Sequence, residues 1–598
     1  MPHSTPHLIS RLRRRMRVSA ARSRLPEQSA ELFLAIIVGV IGAGGAIAFR
    51  WSLEFVTALF FGDVAAGMET VAPWHRVLLP AIGALIVGPL IAWAGPDMEG
   101  SGVPELQEAV ALHGGRIRPL RWLLKAITAA LTIGSGGSAG REGPIAFISG
   151  TLGADLARLV PGGERRRKLL LACGAAAGVA ATFNAPLTGA FYALEIVLGA
   201  WGAETFAPVV VSAVISSAIG RHVFGNVPAF VVPRYSLATS YELLAFAVLG
   251  LACAFAGTIF TTWLYFVNDL WTRFAWPRAL RLLPAALLVG VLGVWLPGVM
   301  GLGYDTISST LQGRLPGIEL LLLLALGKIV ATSLTLGSGG SGGIFAPSLL
   351  VGAMLGGAIG QLMHGLSPAF GTSEGAYALV GMGGLFAATS HAPITSVLTI
   401  FELTGDYLMI LPLMLVCGIA TVVARHIKRP SIFNLKLLRR GVHLELGRDV
   451  ALLNELKVRD AMTTKLVTIP PDALVGGVLV RARETEHSGY PLVDEAGVLH
   501  GIVTIDDLRR AEAEGLLTDP VTALATHRLV VAFPGESLND ALRKLGMHEI
   551  NLMPVVARDD HTQILGIITH KDIISAYNHA LARRHTSLGS TTKSEFFE

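Results

Sequence analysis

The hydrophobic pattern divides the chain into two parts that meet near position 425. The first part is dominated by long apolar runs, including 32–48, 77–94, 243–261 and 320–326, each of which continues into further apolar sequence. About 20 apolar residues in an α-helix cross the hydrocarbon core of a bilayer. The pattern predicts a polytopic α-helical membrane domain, because a single soluble core would not need such runs.

The second part begins where the apolar runs give way to a cluster of Arg and Lys, followed by an ordinary mixed composition. Short β-branched runs such as 466–469 and 554–556 alternate there with helical stretches such as 538–545, which predicts small α/β units. The expected divisions are a basic N-terminal segment (1–30), a membrane domain (31–440, with halves of about 31–222 and 240–440), a linker (441–453), two α/β modules (454–515 and 516–584) and a disordered tail (585–598).

Composition and charge agree with this division. Of the 598 residues, 52% are hydrophobic and only 15% are charged, and the mean hydropathy is +0.57, which is unlike an ordinary soluble enzyme. The first 24 residues hold seven arginines and no acid. The positive-inside rule therefore predicts that both termini are cytoplasmic, and the basic segment is expected to meet solvent or anionic lipid and no nucleic acid.

Neither a signal peptide nor a cysteine framework is expected. Polar and basic sequence precedes the first apolar run, so no cleavable signal peptide is expected. The three cysteines, Cys173, Cys253 and Cys417, all lie in apolar segments. They are expected to be small buried side chains, with neither a disulfide nor a metal site.

The membrane domain contains an internal repeat. KAITAALTIGSGG at 125–137 matches KIVATSLTLGSGG at 328–340. Further along, APLT at 185–188 matches APIT at 392–395, and each is followed by a glutamate nine positions after its proline, Glu195 and Glu402. The match extends over a whole structural half.

The flanking charges predict how the copies are oriented. Arginines precede the first copy and follow its next apolar run, so both of its ends are expected on the cytoplasmic face, with the helix broken in the Gly-rich, Pro-bearing stretch 134–144. The corresponding return segment of the second copy, 364–377, holds no Lys or Arg. The copies are therefore predicted to be inverted.

Inverted repeats with broken helices are typical of ion transporters, because half-helix N-termini present free N–H groups and a positive dipole end to an anion. Close packing of small residues is the alternative for any single GSGG motif, but two matched copies, each followed by proline, favour an ion site. Both copies also fit G-x-S-x-G, which would make Ser138 or Ser341 the nucleophile of an intramembrane hydrolase. That hypothesis lacks the strand and the base that such a site needs.

Four segments then converge: GSGVP at 100–104, GREGP at 140–144, FNAPL at 183–187 and GIFAP at 343–347. Their order and spacing resemble the CLC family of chloride channels and chloride/proton antiporters over roughly residues 30–440. The resemblance implies the inverted-repeat fold of that family and a homodimer with one anion pathway in each subunit. It also implies chloride as the transported ion, no required cofactor and no enzymatic activity.

The same resemblance assigns the ion site. Ser101 would offer its hydroxyl to chloride, whereas members that prefer nitrate tend to have proline there, and Ile344 and Phe345 would offer backbone N–H groups. Glu142 would be the gating glutamate, whose carboxylate occupies the anion position when charged and swings away when protonated. A helix cap is the ordinary alternative for Ser101. An ion pair with Arg141 is the alternative for Glu142, although adjacent helix positions do not face one another.

Two positions depart from the family pattern. Antiporters of the family often carry an inward-side glutamate where this chain has Ile196, so a passive channel with a protonatable gate is expected first and a chloride/proton antiporter second. Some coupled members also lack that glutamate. Phe433 stands where the family usually presents a tyrosine hydroxyl to the anion. The anion then makes one hydrogen bond fewer, worth about 0.5 to 1.5 kcal/mol, or water supplies it.

Each α/β module ends in G-I-[VI]-T-x-x-D, at 501–507 and at 566–572. This resembles a pair of CBS modules, whose clefts can hold adenine nucleotides such as ATP, ADP or AMP. The alternative is that each T-x-x-D simply caps the following helix. The residues that the resemblance assigns to ribose or phosphate are Thr504, Asp507, Thr569 and Asp572.

A divalent-cation transporter regulated by such modules is a further alternative. It would need clustered carboxylates as oxygen ligands. Glu142, Glu195 and Glu402 are instead scattered, and the Gly-rich breaks offer N–H donors. The sequence therefore favours an anion.

Overall fold

The computed structural model describes residues 27–62, 71–199, 202–225, 230, 241–274, 276–314, 317–366, 373–405, 407–440, 442, 452–453, 455–485, 487–527, 529–548 and 550–580. Nearly all of the expected basic segment, most of the linker and the whole expected tail lie outside these residues. The chain forms two compact units, Met1–Val442 and His443–Glu598.

The first unit is helical, as the apolar runs predict. Within the described residues, seven of its helices are long and apolar enough to cross a membrane. The helices of its first half are α1 (Glu27–Phe61), α2 (Pro73–Ala94), α3 (Val103–Ala111), α4 (Arg121–Gly134), α5 (Glu142–Leu159), α6 (Glu164–Phe183), α7 (Pro186–Phe191) and α8 (Ala203–Phe224). A π-helical segment, Tyr192–Leu198, continues α7.

The second half repeats this order. Its helices are α9 (Glu242–Arg273), α10 (Leu282–Trp295), α11 (Tyr304–Leu311), α12 (Ile318–Gly337), α13 (Phe345–Leu366), α14 (Glu374–Ser390), α15 (Pro393–Thr404) and α16 (Ile410–Ile427), followed by α17 (Ile432–Arg439). Each of α1 to α8 thus has a counterpart in α9 to α16. The predicted membrane fold with broken helices is confirmed, since α4 ends at Gly134 and α5 begins only at Glu142.

Local sequence explains where the helices stop. Asn184 and His391 end α6 and α14 in the left-handed conformation, with φ of 56° and 59°. A proline two residues later opens the next helix in each half, at the first helical position, where its missing N–H costs nothing. The same pair of signals therefore produces the same break in both copies.

The second unit contains two β-hairpins with flanking helices. Its elements are α18 (Val458–Ala461), α19 (Val475–Thr485), β1 (Gly489–Val493), β2 (Leu499–Thr504), α20 (Ile505–Glu514), α21 (Leu538–Met547), β3 (Leu552–Val556), β4 (Ile564–Thr569) and α22 (570–580). Both hairpins are antiparallel, and Gly489 pairs with Thr504 as Leu552 pairs with Thr569. The predicted α/β modules are confirmed.

One predicted strand is wrong. The run 466–469 forms only an isolated bridge, from Ile469 to Leu492. Ile469 packs into the hydrophobic core of the first module. Burial of Ile469 in this core explains why the run is apolar although it forms no strand.

Candidate functional site

The two Gly-rich breaks meet at the centre of the membrane unit. The amide of Gly140 donates to the carbonyl oxygen of Gly343 at 2.7 Å, and the amide of Gly343 donates back to Gly140 at 2.6 Å. A side chain at Gly343 would lie 2.9 Å from the amide nitrogen of Gly143. Glycine is therefore required for this approach, which brings the N-termini of α5 and α13 together.

Serine and threonine side chains bond the two breaks crosswise. The amide of Ser138 donates to Thr335 Oγ1 at 3.1 Å, and the amide of Ser341 donates to Thr132 Oγ1 at 3.3 Å. In the described part of the chain, the hydroxyls of both serines also contact only threonine hydroxyls. Among the residues that the structure describes, neither serine has a base as a hydrogen-bond partner, so the geometry gives the hydrolase hypothesis no support.

The first lysine of each repeat copy makes equivalent hydrogen bonds in the two halves. Lys125 Nζ donates to the carbonyl oxygens of Met98 and Gly100, at 3.0 and 2.7 Å. Lys328 Nζ donates to those of Val299 and Gly301, at 3.0 and 2.9 Å. Each lysine is fully buried and fixes the loop that precedes α3 or α11.

Glu142 is the first residue of α5, and its side chain is only 1% exposed. The hydroxyl of Tyr304, the first residue of α11, donates to Glu142 Oε1. Glu142 Oε2 has no hydrogen-bond partner among the described residues. This oxygen and the amide nitrogen of Ala346 lie 2.4 and 3.0 Å from the position that a Cβ on Gly140 would take. The carboxylate thus sits where the two helix N-termini converge.

Arg141 does not pair with Glu142 through an ion pair in the described residues; its guanidinium lies over the ring of Tyr304, 5.2 Å from the centroid. Neighbouring helix positions face apart, in agreement with this geometry.

Ser101 lies beside the converging N-termini of α5 and α13. It is 8% exposed, and its Cβ and carbonyl oxygen are both 2.8 Å from the position of a Cβ on Gly143. Its hydroxyl accepts from the amide of Val103 at 3.3 Å, although the N-cap position of α3 is Gly102 and not Ser101. Gly102, with φ of 81°, makes the turn that leads into α3.

Ile344 and Phe345 precede and open α13 and are both buried. The ring of Phe345 packs against those of Phe183 and Phe386, with centroids 5.3 and 4.5 Å away. The structure therefore brings Glu142, Ser101 and the start of α13 to one place.

Phe433 is buried on the short helix α17. The carbonyl oxygen of the preceding Ile432 accepts from the hydroxyl of Tyr265 at 2.6 Å. Lys436, one turn further on, donates to Glu105 Oε1 at 2.7 Å and to the carbonyl oxygen of Glu99 at 3.0 Å. The two Lys436 bonds join α17 to the segments on either side of Ser101, and the Tyr265 bond joins it to α9.

Ile196 lies in the π-helical segment and is 5% exposed. Its carbonyl oxygen accepts from Gln107 Nε2 at 2.8 Å, while the buried Gln107 Oε1 has no partner among the described residues. The neighbouring Glu195 points elsewhere, because its carboxylate accepts from the amide and hydroxyl of Thr395 at 2.7 and 2.6 Å.

A family model described as "Voltage gated chloride channel" matches residues 83–425, which is more than half of the chain. The chain belongs to the CLC family. A second family model, the CBS domain, matches residues 458–514 and 521–579 of this CLC protein.

Named relatives of the CLC chain are chloride transport proteins. It is 35% identical over 416 residues to "Putative chloride channel protein ClcB-like" of Ralstonia nicotianae, covering 68% of the chain and 96% of the relative. It is 32% identical over 452 residues to "H(+)/Cl(-) exchange transporter ClcA" of Salmonella typhi, covering 72% and 93%. A solved structure of a slow cyanobacterial Cl⁻/H⁺ antiporter is 26% identical, with a TM-score of 0.59 and coverage of 70% and 99%. The protein is therefore a membrane anion transporter of the CLC family.

In the CBS domains, the four residues singled out by sequence form two equivalent caps. Thr504 Oγ1 donates to Asp507 Oδ2 at 2.6 Å, and the amide of Asp507 donates back to the threonine hydroxyl at 3.3 Å. Thr569 and Asp572 repeat these bonds at 2.7 and 3.3 Å. Each threonine and aspartate pair therefore caps the helix that follows it, and the assignment of these residues to a nucleotide stays a prediction.

Sequence reasoning missed Tyr304 and Gln107. The internal repeat carries a signal for Tyr304: Gly301-Leu302-Gly303 follows the pattern of Gly100-Ser101-Gly102, and Gly303 and Gly102 share a φ near 80°. Tyr304 thus follows the counterpart of the segment that bears Ser101. Nothing in the sequence marks Gln107.

Proposed function

We propose that this CLC protein exchanges chloride for protons across its membrane, with Glu142 as the group that both blocks the anion path and carries the proton. The observation that carries the proposal is the position of the Glu142 carboxylate at the junction of two helix N-termini, where an anion would bind. When ionised, the carboxylate takes the place of the anion. When protonated, it is neutral and no longer competes with chloride for the positive ends of the two helices.

The comparisons favour exchange over the passive channel that the sequence puts first. Relatives at 32% identity and a solved structure at 26% identity are named exchangers. Ile196 carries no proton, so the inner route would use water. Gln107 Oε1 is buried, has no partner within the described ranges, and offers such water an acceptor beside the Ile196 carbonyl.

A passive chloride channel is the second candidate, and Ile196 is the observation that favours it. Glu195 is a weak substitute for the missing relay, because both of its carboxylate oxygens accept hydrogen bonds from α15. The Ralstonia relative is also named a putative channel.

The two candidates separate in proteoliposomes that contain the purified protein. Under exchange, an outward chloride gradient should drive uphill proton uptake, and the reversal potential should depart from the chloride Nernst value. Glu142→Ala is the matched control, because it should keep chloride flux and abolish proton uptake. If wild-type flux reverses at the chloride Nernst value with no proton uptake, the exchange proposal is wrong and the channel replaces it.

We assign the anion contacts by the same reasoning. Ser101 and the amides of Ile344 and Phe345 would bind chloride, while Phe433 would line the path without donating. Neutral donors suit this task, since a fixed cation would bind the anion too tightly for release.

The CBS pair is proposed to regulate transport by binding an adenine nucleotide. The support is the matched pair of CBS domains and their equivalent T-x-x-D sites. Calorimetry of ATP, ADP and AMP with the full chain tests this, and an absence of heat for all three would leave the modules with a structural role.

We propose a homodimer with cytoplasmic termini in a plasma or inner cell membrane. Exposed apolar side chains on α7, α15 and α16, including Leu187, Ile394 and Leu411, offer a face for the second subunit. Cross-linking in native membranes and protease protection of the CBS pair test the two statements.

A further inference from the structure

The structure assigns to Tyr304 the role of a positioning residue that holds the gating carboxylate in its blocking place. The hydroxyl of Tyr304 donates to Glu142 Oε1, and the two residues come from opposite repeat halves. The inference rests on the proposed gating role of Glu142 but is independent of whether chloride flux is coupled to protons.

The ring of Tyr304 is held firmly enough to fix its hydroxyl. Phe230 packs edge-on against it, with centroids 5.5 Å apart. The guanidinium of Arg141 covers the ring at 5.2 Å. Phe230, Arg141 and the carboxylate that accepts the hydrogen bond therefore all contact Tyr304.

The backbone before Tyr304 is fixed as well. Gly303 has a φ of 80°, and Lys328 secures the loop through the carbonyl oxygens of Val299 and Gly301. A side chain at Gly303 would lie 2.3 Å from Leu350 Cδ1 and 3.4 Å from Lys328 Nζ. There is no room for a side chain at Gly303, and the loop is held in the conformation that places the Tyr304 hydroxyl against Glu142.

A donated hydrogen bond stabilises the ionised form of a carboxylate over the protonated form. Tyr304 thus favours the closed gate. In the described part of the chain, the other ionisable groups that act on the carboxylate are Arg141 beside it, Lys328 on α12 and Tyr192 in the π-helical segment. Removing the hydroxyl alone leaves those groups in place and takes one hydrogen bond from the ionised carboxylate. The carboxylate should then be protonated, and the gate should open, at higher pH.

The test is the pH dependence of chloride flux in proteoliposomes with Tyr304→Phe. We expect the midpoint of the profile to move to higher pH by about one unit, the scale of a hydrogen bond to a charged group. Tyr377→Phe is the matched control, because the buried hydroxyl of Tyr377 has no partner among the described residues and its ring stacks on Phe246. Its profile should match that of the wild type.

A second pair of variants separates positioning from general damage. Tyr304→Phe should have no effect when introduced into Glu142→Ala, because the acceptor is absent. Phe230→Leu loosens the ring without touching the hydroxyl and should move the midpoint in the same direction by a smaller amount. It also serves if Tyr304→Phe does not yield folded protein.

The inference is overturned if folded Tyr304→Phe keeps the wild-type profile, or if Tyr304→Phe changes the flux of Glu142→Ala as much as that of the wild type. Where Tyr304→Phe does not fold, an unchanged profile in Phe230→Leu overturns it. Failure of chloride-driven proton uptake would instead remove the exchange proposal and leave the expected shift for Tyr304→Phe unchanged.

Discussion

Glu195 and Glu402 hold each other's repeat half in the same way. Glu195 accepts from the backbone amides of Ile394 and Thr395 at the start of α15, at 3.4 and 2.7 Å. Glu402 accepts from those of Leu187 and Thr188 at the start of α7, at 2.9 and 2.6 Å. Each carboxylate therefore satisfies free N–H groups at a helix N-terminus of the opposite half.

We expect Glu195→Gln and Glu402→Gln to lower stability by similar amounts. Each loses a charged acceptor whose hydrogen bonds are worth about 1.5 to 3 kcal/mol. Thermal unfolding in detergent should show matched decreases in the midpoint. Glu319→Gln, at an exposed acid in the first turn of α12, should change little. A loss of proton coupling in Glu195→Gln without a loss of stability would contradict the structural role given to Glu195.

Glu142→Ala should conduct chloride at all pH values with its pH dependence largely lost, because no titratable group is left to compete with the anion. The measurement is chloride efflux from liposomes over a series of pH values. An unchanged pH profile would exclude Glu142 as the gate.

Ser101→Pro should shift selectivity from chloride toward nitrate, because the hydroxyl donor is replaced by an apolar ring. Relative permeability from reversal potentials measures the change. Ser216→Ala is a suitable control, since its hydroxyl donates to the carbonyl oxygen of Ala177, away from the site. If the ratio of nitrate to chloride is the same in all three proteins, Ser101 does not contact the anion.

Thr335→Val and Thr132→Val should each destabilise the membrane unit, because each leaves a buried serine amide without its acceptor, at a cost of about 1 to 3 kcal/mol. Thr310→Val should cost less, since Thr310 Oγ1 donates to a carbonyl of its own helix. Unfolding in detergent ranks the three variants, and equal midpoints would argue against the crosswise bonds.

Asp507→Ala and Asp572→Ala should each lower the stability of the second unit by about 0.5 to 2 kcal/mol in the absence of nucleotide, as the loss of a cap predicts. The unfolding transition of the CBS pair within the full chain gives the measurement. Variants that weaken nucleotide binding while keeping wild-type stability would show that the carboxylates act mainly on a ligand.

The elements and breaks of the membrane domain could be predicted because their signals are local. Apolar length sets the helices, and the Asn184 and His391 ends, each followed by proline, recur in both copies. The convergence of Ser101, Glu142 and the start of α13 followed from motifs that resemble a known family. Phe433 and Ile196 could be placed on the same basis, and their roles stay predictions.

Contacts between residues far apart in the sequence could not be predicted from it. Tyr304 and Glu142 are 162 positions apart, and no single-sequence pattern pairs them. The same holds for Gln107 and Ile196. The T-x-x-D motifs show the opposite limit, because a local pattern that fits both a cap and a nucleotide contact cannot by itself decide between them.

The crosswise bonds have a consequence for biosynthesis. The ribosome completes the first half before α12, α13 and α15 exist, so the amides of Ser138, Gly140 and Thr188 enter the membrane without the acceptors that later satisfy them. Unpaired polar groups in hydrocarbon are expensive. Until the second half is inserted, water, lipid headgroups or the insertion machinery must therefore satisfy the amides at the broken helices of the first half. A chain whose synthesis stops near its middle would keep these amides unsatisfied and should be degraded by membrane quality control.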